Sequence, residues 1–286
     1  MIKCVTRKSF KIRESGRSSD YIAPSFGYGC LFNCSYCYMK RHKPTGLDYA
    51  TNIEQILTEI NSHVAFADVS KPNQTHKEFI TYDISCNEDF ALHSKYYNWE
   101  KIFDFFKHHD KAMATLATKH VPKNFLNYNA NKKVRIRFSL MPERLRQLVE
   151  PNTSSILNRI QAINDFIGSG YDVHINFSPV IVYEGWLDDY QELFALINSI
   201  VKAEYKTQVL AEVIFLTHNR KKHEYNLANN IPGESLLWNL KIQEDKVSSY
   251  GGSNLRYKHP IKKGYIEKWT KLHDSIIPWN SIRYIF

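Results

Sequence analysis

GCLFNCSYCYM, residues 29–39, puts Cys30, Cys34 and Cys37 inside eight residues of a 286-residue chain that has only five cysteines. Three thiols gathered so tightly call for a metal centre. Thiolates are the ligands of iron–sulfur clusters, and three of them on a four-iron cubane leave one iron without a protein ligand, open for chemistry. Two plainer readings stand beside this one. The spacing i, i+4, i+7 is also that of a buried helix face, on which the cysteines would be small core residues. Gly27 and Gly29 before the run, and Asn33 and Ser35 within it, suit a loop better. The other reading is a structural zinc site with His42 as fourth ligand. Closed zinc sites usually staple small domains, whereas this chain is long enough to build its own core.

Outward from this loop, strand and helix alternate. Residues 20–26, 77–84, 111–118, 133–140, 172–179 and 209–217 are six short β-rich runs that end in polar residues or turn signals. Between them, Ile53, Ile56, Leu57, Ile60 and Val64 share one helical face, as do Ile156, Ile160, Ile163 and Ile167, and Leu193, Ile197, Ile200 and Val201. That order predicts an α/β fold of βα units around a parallel sheet, a partial (β/α)6 barrel over residues 1–225. Residues 226–286 are expected to form a C-terminal extension packed on the barrel. A βα barrel carries its working groups at the C-terminal ends of its strands. Here those ends hold the cysteine loop; Ser85, Cys86, Asn87, Glu88 and Asp89; Thr118, Lys119 and His120; Ser139; Ser178; and Thr217 and His218. There is no glycine-rich triphosphate loop and no internal repeat beyond the βα units.

Composition bounds the partners. Hydrophobic residues make up 43% and aromatic residues 14%, as in a globular chain. No run approaches the roughly 20 apolar residues of a membrane span, and no N-terminal stretch pairs a basic start with an apolar run. A soluble, cytoplasmic protein with no membrane partner is expected, a setting that keeps clustered thiols available as ligands. A formal net charge of +9 favours an anionic partner, with nucleic acid the obvious class.

The C-x3-C-x2-C spacing, with Tyr36 just before the last cysteine, resembles the signature of the radical S-adenosylmethionine (SAM) superfamily. The resemblance implies a [4Fe-4S] cluster on Cys30, Cys34 and Cys37, SAM chelated by the open iron, and a partial barrel. Further matches are similar to the spore photoproduct lyase family, DNA-repair enzymes that reverse a methylene-bridged thymine dimer formed by ultraviolet light. They are ISCNED at 84–89, LATKH at 116–120, RIRFSL at 135–140, SSILNRIQAI at 154–163, SGYDVHINFSPVIVYEGWLDDY at 169–190 and the closing IRYIF. The likeness implies that Lys119 pairs with the methionine end of SAM, that Ser139 and Tyr36 lie against the cofactor, and that Cys86 returns a hydrogen atom to the product radical. Tyr36 and Tyr38 would relay the hydrogen back to the cofactor. It also implies ultraviolet-damaged DNA as substrate and an electron donor such as flavodoxin or ferredoxin.

At 87 and 88 the chain has Asn and Glu where the family carries Thr and Ser. This removes a serine contact to SAM and is expected to bring negative charge near the SAM carboxylate or a DNA phosphate. YGGSNLRYKHPIKK, residues 250–263, is a candidate DNA-gripping hairpin through Arg256, Tyr257, Lys258, Lys262 and Lys263. His218 and His223 are expected in a charged, solvated or phosphate-contacting loop after the last strand rather than in a metal site, and Glu143 and Glu150 show no catalytic pairing in the sequence. Two other functions fit the same residues: a radical SAM enzyme acting on another nucleic-acid or small-molecule substrate, and a non-catalytic, zinc-stapled nucleic-acid-binding protein.

Overall fold

A polar residue opens the architecture. Asp20, fully buried, accepts from the Thr81 amide at 2.9 Å, the Thr81 hydroxyl at 2.8 Å and the Asn73 amide at 3.3 Å, and so fixes the first parallel pairing of the main sheet. The computed structural model describes residues 1–67, 71–247 and 252–286, with Arg41 by its backbone alone. Two compact units divide the chain: Met1–Leu31, Lys43–Phe138 and Ala162–His174 form the first, and Phe32–His42, Ser139–Gln161 and Ile175–Phe286 the second.

Eight strands, numbered along the chain, form the main sheet: β1 Arg13–Glu14, β2 Tyr21–Ile22, β3 Ile80–Asp83, β4 Ala112–Thr118, β5 Val134–Ser139, β6 Asp172–Val180, β7 Ala211–Phe215 and β8 Ile282–Ile285. Their hydrogen-bonded order, β8-β7-β6-β5-β4-β3-β2-β1, follows the sequence. The six expected strands are β2 to β7. At one edge β1 pairs antiparallel with β2, and at the other β8 pairs parallel with β7. The fold is therefore mixed α/β, with a sheet two strands wider than the six units foreseen.

Every residue of β5 is buried, as in a parallel strand covered on both faces. Its two arginines are tolerated because each is paired. Arg137 bonds Asp83 of β3 at 2.7 Å and the Thr115 hydroxyl of β4 at 3.0 Å, so one polar rung crosses three strands. Arg135 bonds Asp172 at 2.7 Å and the Thr75 carbonyl at 3.0 Å. The helix Ile53–Phe66 buries Ile56, Leu57, Ile60 and Val64, as the periodicity predicts. In the second unit, Trp186–Ile200 lays Tyr190 and Phe194 against Trp269 of the helix His259–Ile276, with ring centroids 5.9 and 5.1 Å apart.

Two small sheets complete the units. Ile2–Val5, Leu47–Ala50 and Gly27–Gly29 pair in the first unit, and Thr217–Asn219, Ser253–Tyr257 and Gln243–Val247 in the second. The last two of these strands are an antiparallel pair that begins earlier than the expected hairpin. Lys262 and Lys263 lie on the following helix, and residues 250 and 251 lie outside the described ones. Tyr257 is a core residue whose hydroxyl accepts from the Val182 amide at 2.9 Å, while Arg256 pairs with Glu244 at 3.0 Å. Among the described residues no helix is long and apolar enough to cross a membrane.

Replacing Asp20 with Ala takes the acceptor from the amides of Thr81 and Asn73, while the Thr81 hydroxyl keeps Thr75. Unsatisfied buried donors cost about 1–3 kcal/mol each, so the urea midpoint is expected to fall by the equivalent of about 2–3 kcal/mol. A change below about 1 kcal/mol would show that Asp20 does not hold this edge.

Candidate active site

In the first unit three strand ends meet. Cys30 follows Gly27–Gly29, and Gly29 has φ +108° with the Gly46 carbonyl oxygen 2.6 Å from where a Cβ would sit, so glycine is required. The Gly29 amide donates to the Asn87 carbonyl at 3.1 Å, tying the Cys30 strand to the residue after Cys86. The Leu31 amide donates to His93 Nε2 at 3.2 Å, which requires that nitrogen to be unprotonated. His93 is then a neutral ring whose Nδ1–H donates to Glu88 at 2.8 Å, and the Tyr97 hydroxyl donates to the same carboxylate at 2.7 Å.

Glu88 is thus not where the sequence puts it. Its side chain is buried and faces His93 and Tyr97, and a Cβ on Gly27 would collide with its carboxylate. Burial raises its pKa, against the hydrogen bonds from His93 and Tyr97. The negative charge expected near a cofactor or phosphate is spent holding the chain beside Cys30.

Cys86 and Lys119 are positioned by two aspartates. Asp83 accepts from the Ser85 amide at 2.8 Å, so the Arg137–Asp83 rung also fixes the turn into Cys86. Asp89 caps the helix Phe90–His93 through the Leu92 amide at 3.1 Å, and accepts from the Thr118 hydroxyl at 2.8 Å and the Lys119 amide at 2.9 Å. Arg13 Nη2 lies 3.7 Å from the half-buried Cys86 sulfur.

The second unit holds the rest of the cysteine loop. The Cys37 amide donates to the Cys34 carbonyl at 3.1 Å, a tight turn that leads into the helix Met39–His42. Ser35 between them is clamped by the Val149 carbonyl at 2.9 Å, the Pro232 carbonyl at 3.0 Å and Asn226 Nδ2 at 2.8 Å. The Tyr36 hydroxyl donates to Glu150, which pairs with Arg159 at 2.9 Å; both charged side chains are wholly buried. Arg159 in turn donates to the Ser139 carbonyl at 2.8 Å. Burial, then the charge of Glu150, push the Tyr36 phenol well above its usual range. Tyr38 is exposed and meets His42 edge-on at 6.3 Å.

His218 and His223 are not in a solvated loop. His218 is buried and 3.0 Å from Glu234, and His223 is 2.5 Å from the same carboxylate, which also takes Asn226. Hydrogen bonds from His218 help lower the Glu234 pKa, although burial opposes them. Through Asn226 this network also reaches Ser35. Lys222 is buried, and burial lowers its pKa while the charges of Cys37, Glu234 and Cys34 work the other way. A buried lysine beside Cys34 and Cys37, neither of them in a disulfide, suits an anionic iron–sulfur cluster.

The structure therefore brings the Cys30, Cys86 and Lys119 segments together in one unit, and Cys34, Tyr36, Cys37 and Ser139 in the other. Sequence reading named Glu88, Asp89 and Glu150 but missed what they hold, and it did not single out their partners His93 and Arg159. The capping pattern of Asp89 before Phe90 was a usable signal. Glu150 and Arg159, nine positions apart, carried none.

The family model for spore photoproduct lyase matches residues 2–286. Spore photoproduct lyase of Bacillus subtilis is 25% identical over 284 residues, covering 97% of this chain and 80% of that protein. The Geobacillus enzyme of the same name is 27% identical over 194 residues, 66% of this chain and 54% of the other. The solved structure of spore photoproduct lyase complexed with dinucleoside spore photoproduct superposes with TM-score 0.88 at 20% identity, covering 100% of this chain and 82% of that one. A mutant of that enzyme with bound AdoMet and dinucleoside spore photoproduct gives TM-score 0.86 at 18% identity, with the same coverage. At these identities the structural likeness shows the fold, a mixed α/β architecture built on an eight-stranded sheet.

Glu150→Gln leaves the Arg159 charge buried without its counter-ion. Breaking a buried pair costs about 3–5 kcal/mol, to be read from urea unfolding, whereas replacing both partners with apolar residues, Glu150→Leu with Arg159→Met, is expected to recover most of that loss. Equal losses in the single and double variants would refute the ion pair as the cause.

Proposed function

The chain belongs to the spore photoproduct lyase family, and from that premise we propose that it reverses the methylene-bridged thymine dimer of ultraviolet-damaged DNA. It is a radical SAM lyase that uses a [4Fe-4S] cluster and SAM. The three-thiol set fits that cluster, and with family membership the zinc-stapled reading and its fourth ligand His42 fall away. When bound, cluster and SAM together supply a 5'-deoxyadenosyl radical that removes a hydrogen atom from the bridged thymine.

The proposed residue roles are those the family likeness implies, and chemistry and position support them. Cys30, Cys34 and Cys37 are the proposed cluster ligands. Lys119, whose backbone Asp89 fixes, presents a compact ammonium suited to the carboxylate of SAM. Ser139 and Tyr36 are proposed to lie against the cofactor, both held through Glu150 and Arg159. Cys86 is the proposed hydrogen donor: its S–H bond breaks as a C–H bond forms on the thymine radical, leaving a thiyl radical on sulfur. Tyr36 and Tyr38 are the proposed relay that passes the hydrogen back towards the cofactor. Because the pKa of Tyr36 is raised, it keeps its O–H, the state that carries a hydrogen atom.

One observation carries the reading. The Gly29 amide bonds the Asn87 carbonyl at 3.1 Å, so the candidate hydrogen donor stands one residue from a contact with the strand that presents Cys30. The electron is proposed to come from a low-potential donor such as flavodoxin or ferredoxin, and the cytoplasm is the proposed compartment because it keeps the thiols reduced. Extruding the dimer from the duplex costs a few kcal/mol, less where damage has weakened pairing.

Anaerobic incubation of reconstituted protein with SAM, reductant and an oligonucleotide carrying the dimer, followed by mass analysis of the bases, tests this directly. Two thymines are expected from each dimer consumed. With Cys86→Ala, 5'-deoxyadenosine still forms while thymine recovery falls at least tenfold. Full recovery in that variant would remove Cys86 from its role, and adenosyl formation with the dimer intact in the wild type would overturn the substrate.

A further inference from the structure

A cavity of about 630 Å³ opens in the first unit beside Cys86, within the size range of small-ligand sites. Its wall carries Arg7, Lys8, Lys11 and Arg13 together with the neutral polar residues Ser25 and Asn87. Among the described residues the one acid on that wall is Asp48, and it is paired with Lys43 at 2.6 Å. Four cations facing one neutralised carboxylate make a site for an anion.

Arg7 gives the second, independent observation. Its backbone is clamped from both sides by Asn52, whose Oδ1 accepts from the Arg7 amide at 2.8 Å and whose Nδ2 donates to the Arg7 carbonyl at 3.0 Å. The side chain therefore leaves from a fixed point. Yet its Nε and Nη2 are buried without a hydrogen-bond partner. Two guanidinium N–H groups held out of water without an acceptor are costly, and a turn of the half-buried Arg7 side chain into the cavity it lines would let an oxyanion accept from both. Arg13 links this site to the chemistry, because it lines the cavity and also reaches the Cys86 sulfur at 3.7 Å.

We propose that this cavity is a phosphodiester subsite, which takes a backbone phosphate at or beside the dimer and so seats the lesion against Cys86. The proposal rests on the damaged-DNA reading above. Two geometric features favour a strand phosphate over a free one. The cavity has room for a sugar as well as the phosphate, and one wall runs directly into the loop of the hydrogen donor. Arg7 supplies the two-pronged contact, Arg13 orients the anion towards Cys86, and Lys8 and Lys11, both exposed, add attraction from the rim.

The test compares binding of short single strands, by fluorescence anisotropy at several salt concentrations, to the reconstituted protein and to Arg7→Gln and Lys11→Gln variants whose folding is checked by circular dichroism. The strands carry the dimer with natural linkages, the dimer with neutral methylphosphonates at and beside it, or no dimer. Wild type is expected to lose about tenfold in affinity on methylphosphonate substitution, and Arg7→Gln to abolish that discrimination. Lys11→Gln should lower the slope of log affinity against log salt by about one contact's worth. Discrimination that survives Arg7→Gln overturns the subsite, as does a loss of SAM affinity without loss of strand affinity, which would assign the anion to the cofactor. A wild type that prefers the dimer but ignores methylphosphonate also overturns the subsite while leaving the lesion reading intact. One that senses methylphosphonate yet binds damaged and intact strands alike supports the subsite and refutes the lesion.

Discussion

Glu150 and Arg159 form an ion pair in which both side chains are wholly buried, and the cysteine-loop end of the second unit is organised around it. A buried ion pair is worth keeping only when its remaining lone pairs and protons are also satisfied. Here they are: Glu150 accepts from Tyr36, and Arg159 donates to Thr153 Oγ1 at 2.6 Å and to the carbonyls of Ser139 and Ser154 at 2.8 and 2.9 Å. Through those bonds the cysteine loop and the end of β5 become parts of one network. Moving Tyr36 would uncover a charge, and so would moving Ser139. The pair contributes little net stability against an apolar equivalent, so its value here is positional.

The first unit uses acids in the same way, but to hold backbone rather than side chains. Asp83 takes the Ser85 amide, Asp89 takes the amides of Leu92 and Lys119, and Glu88 acts through His93 on the amide of Leu31. These are N–H groups at strand ends, where the sheet ladder no longer supplies acceptors and burial makes an unpaired donor expensive. Consequently the polar rim separates into two sets. Asp83, Ser85, Glu88, Asp89 and Thr118 are occupied with one another and with the chain. Cys86 and Lys119 have their backbones fixed for them.

Much of this was legible in the sequence, for physical reasons that also explain the rest. Strands β3 to β7 were readable because a covered parallel strand is a continuous apolar run of fixed length, and the faces of Ile53–Phe66 and Ile156–Gly168 because a helix repeats its buried positions. The two-residue strand β1 has no such run. The edge strand β8 was noticed only through the likeness of IRYIF to a known closing strand, since four half-buried residues give no pattern of their own. Tyr257 was read as a gripping residue because lysine and arginine surround it in sequence, yet a strand points alternate side chains to opposite faces, and Tyr257 takes the inner one beside the outward Arg256. The cysteines announced themselves by spacing. Glu150 and Arg159 could not, because a long-range pair leaves no periodic trace in a single sequence.

The departure at positions 87 and 88 shows how such a site tolerates change. Asn87 works through its backbone carbonyl, which any residue would supply to Gly29, while its side chain adds a bond to Ser25. Glu88 turns inward, where Gly27 has no side chain to obstruct it and where Tyr97 and His93 are both ready to donate. A serine in its place could not span to His93, so glutamate, histidine and glycine form a set that must be present together. Glu88 is a buried strut that acts through His93 on the amide next to Cys30. The loop between Cys86 and Asp89 is thus held twice, by the Asn87 carbonyl on Gly29 and by Glu88 on His93, and the position of Cys86 follows from that path.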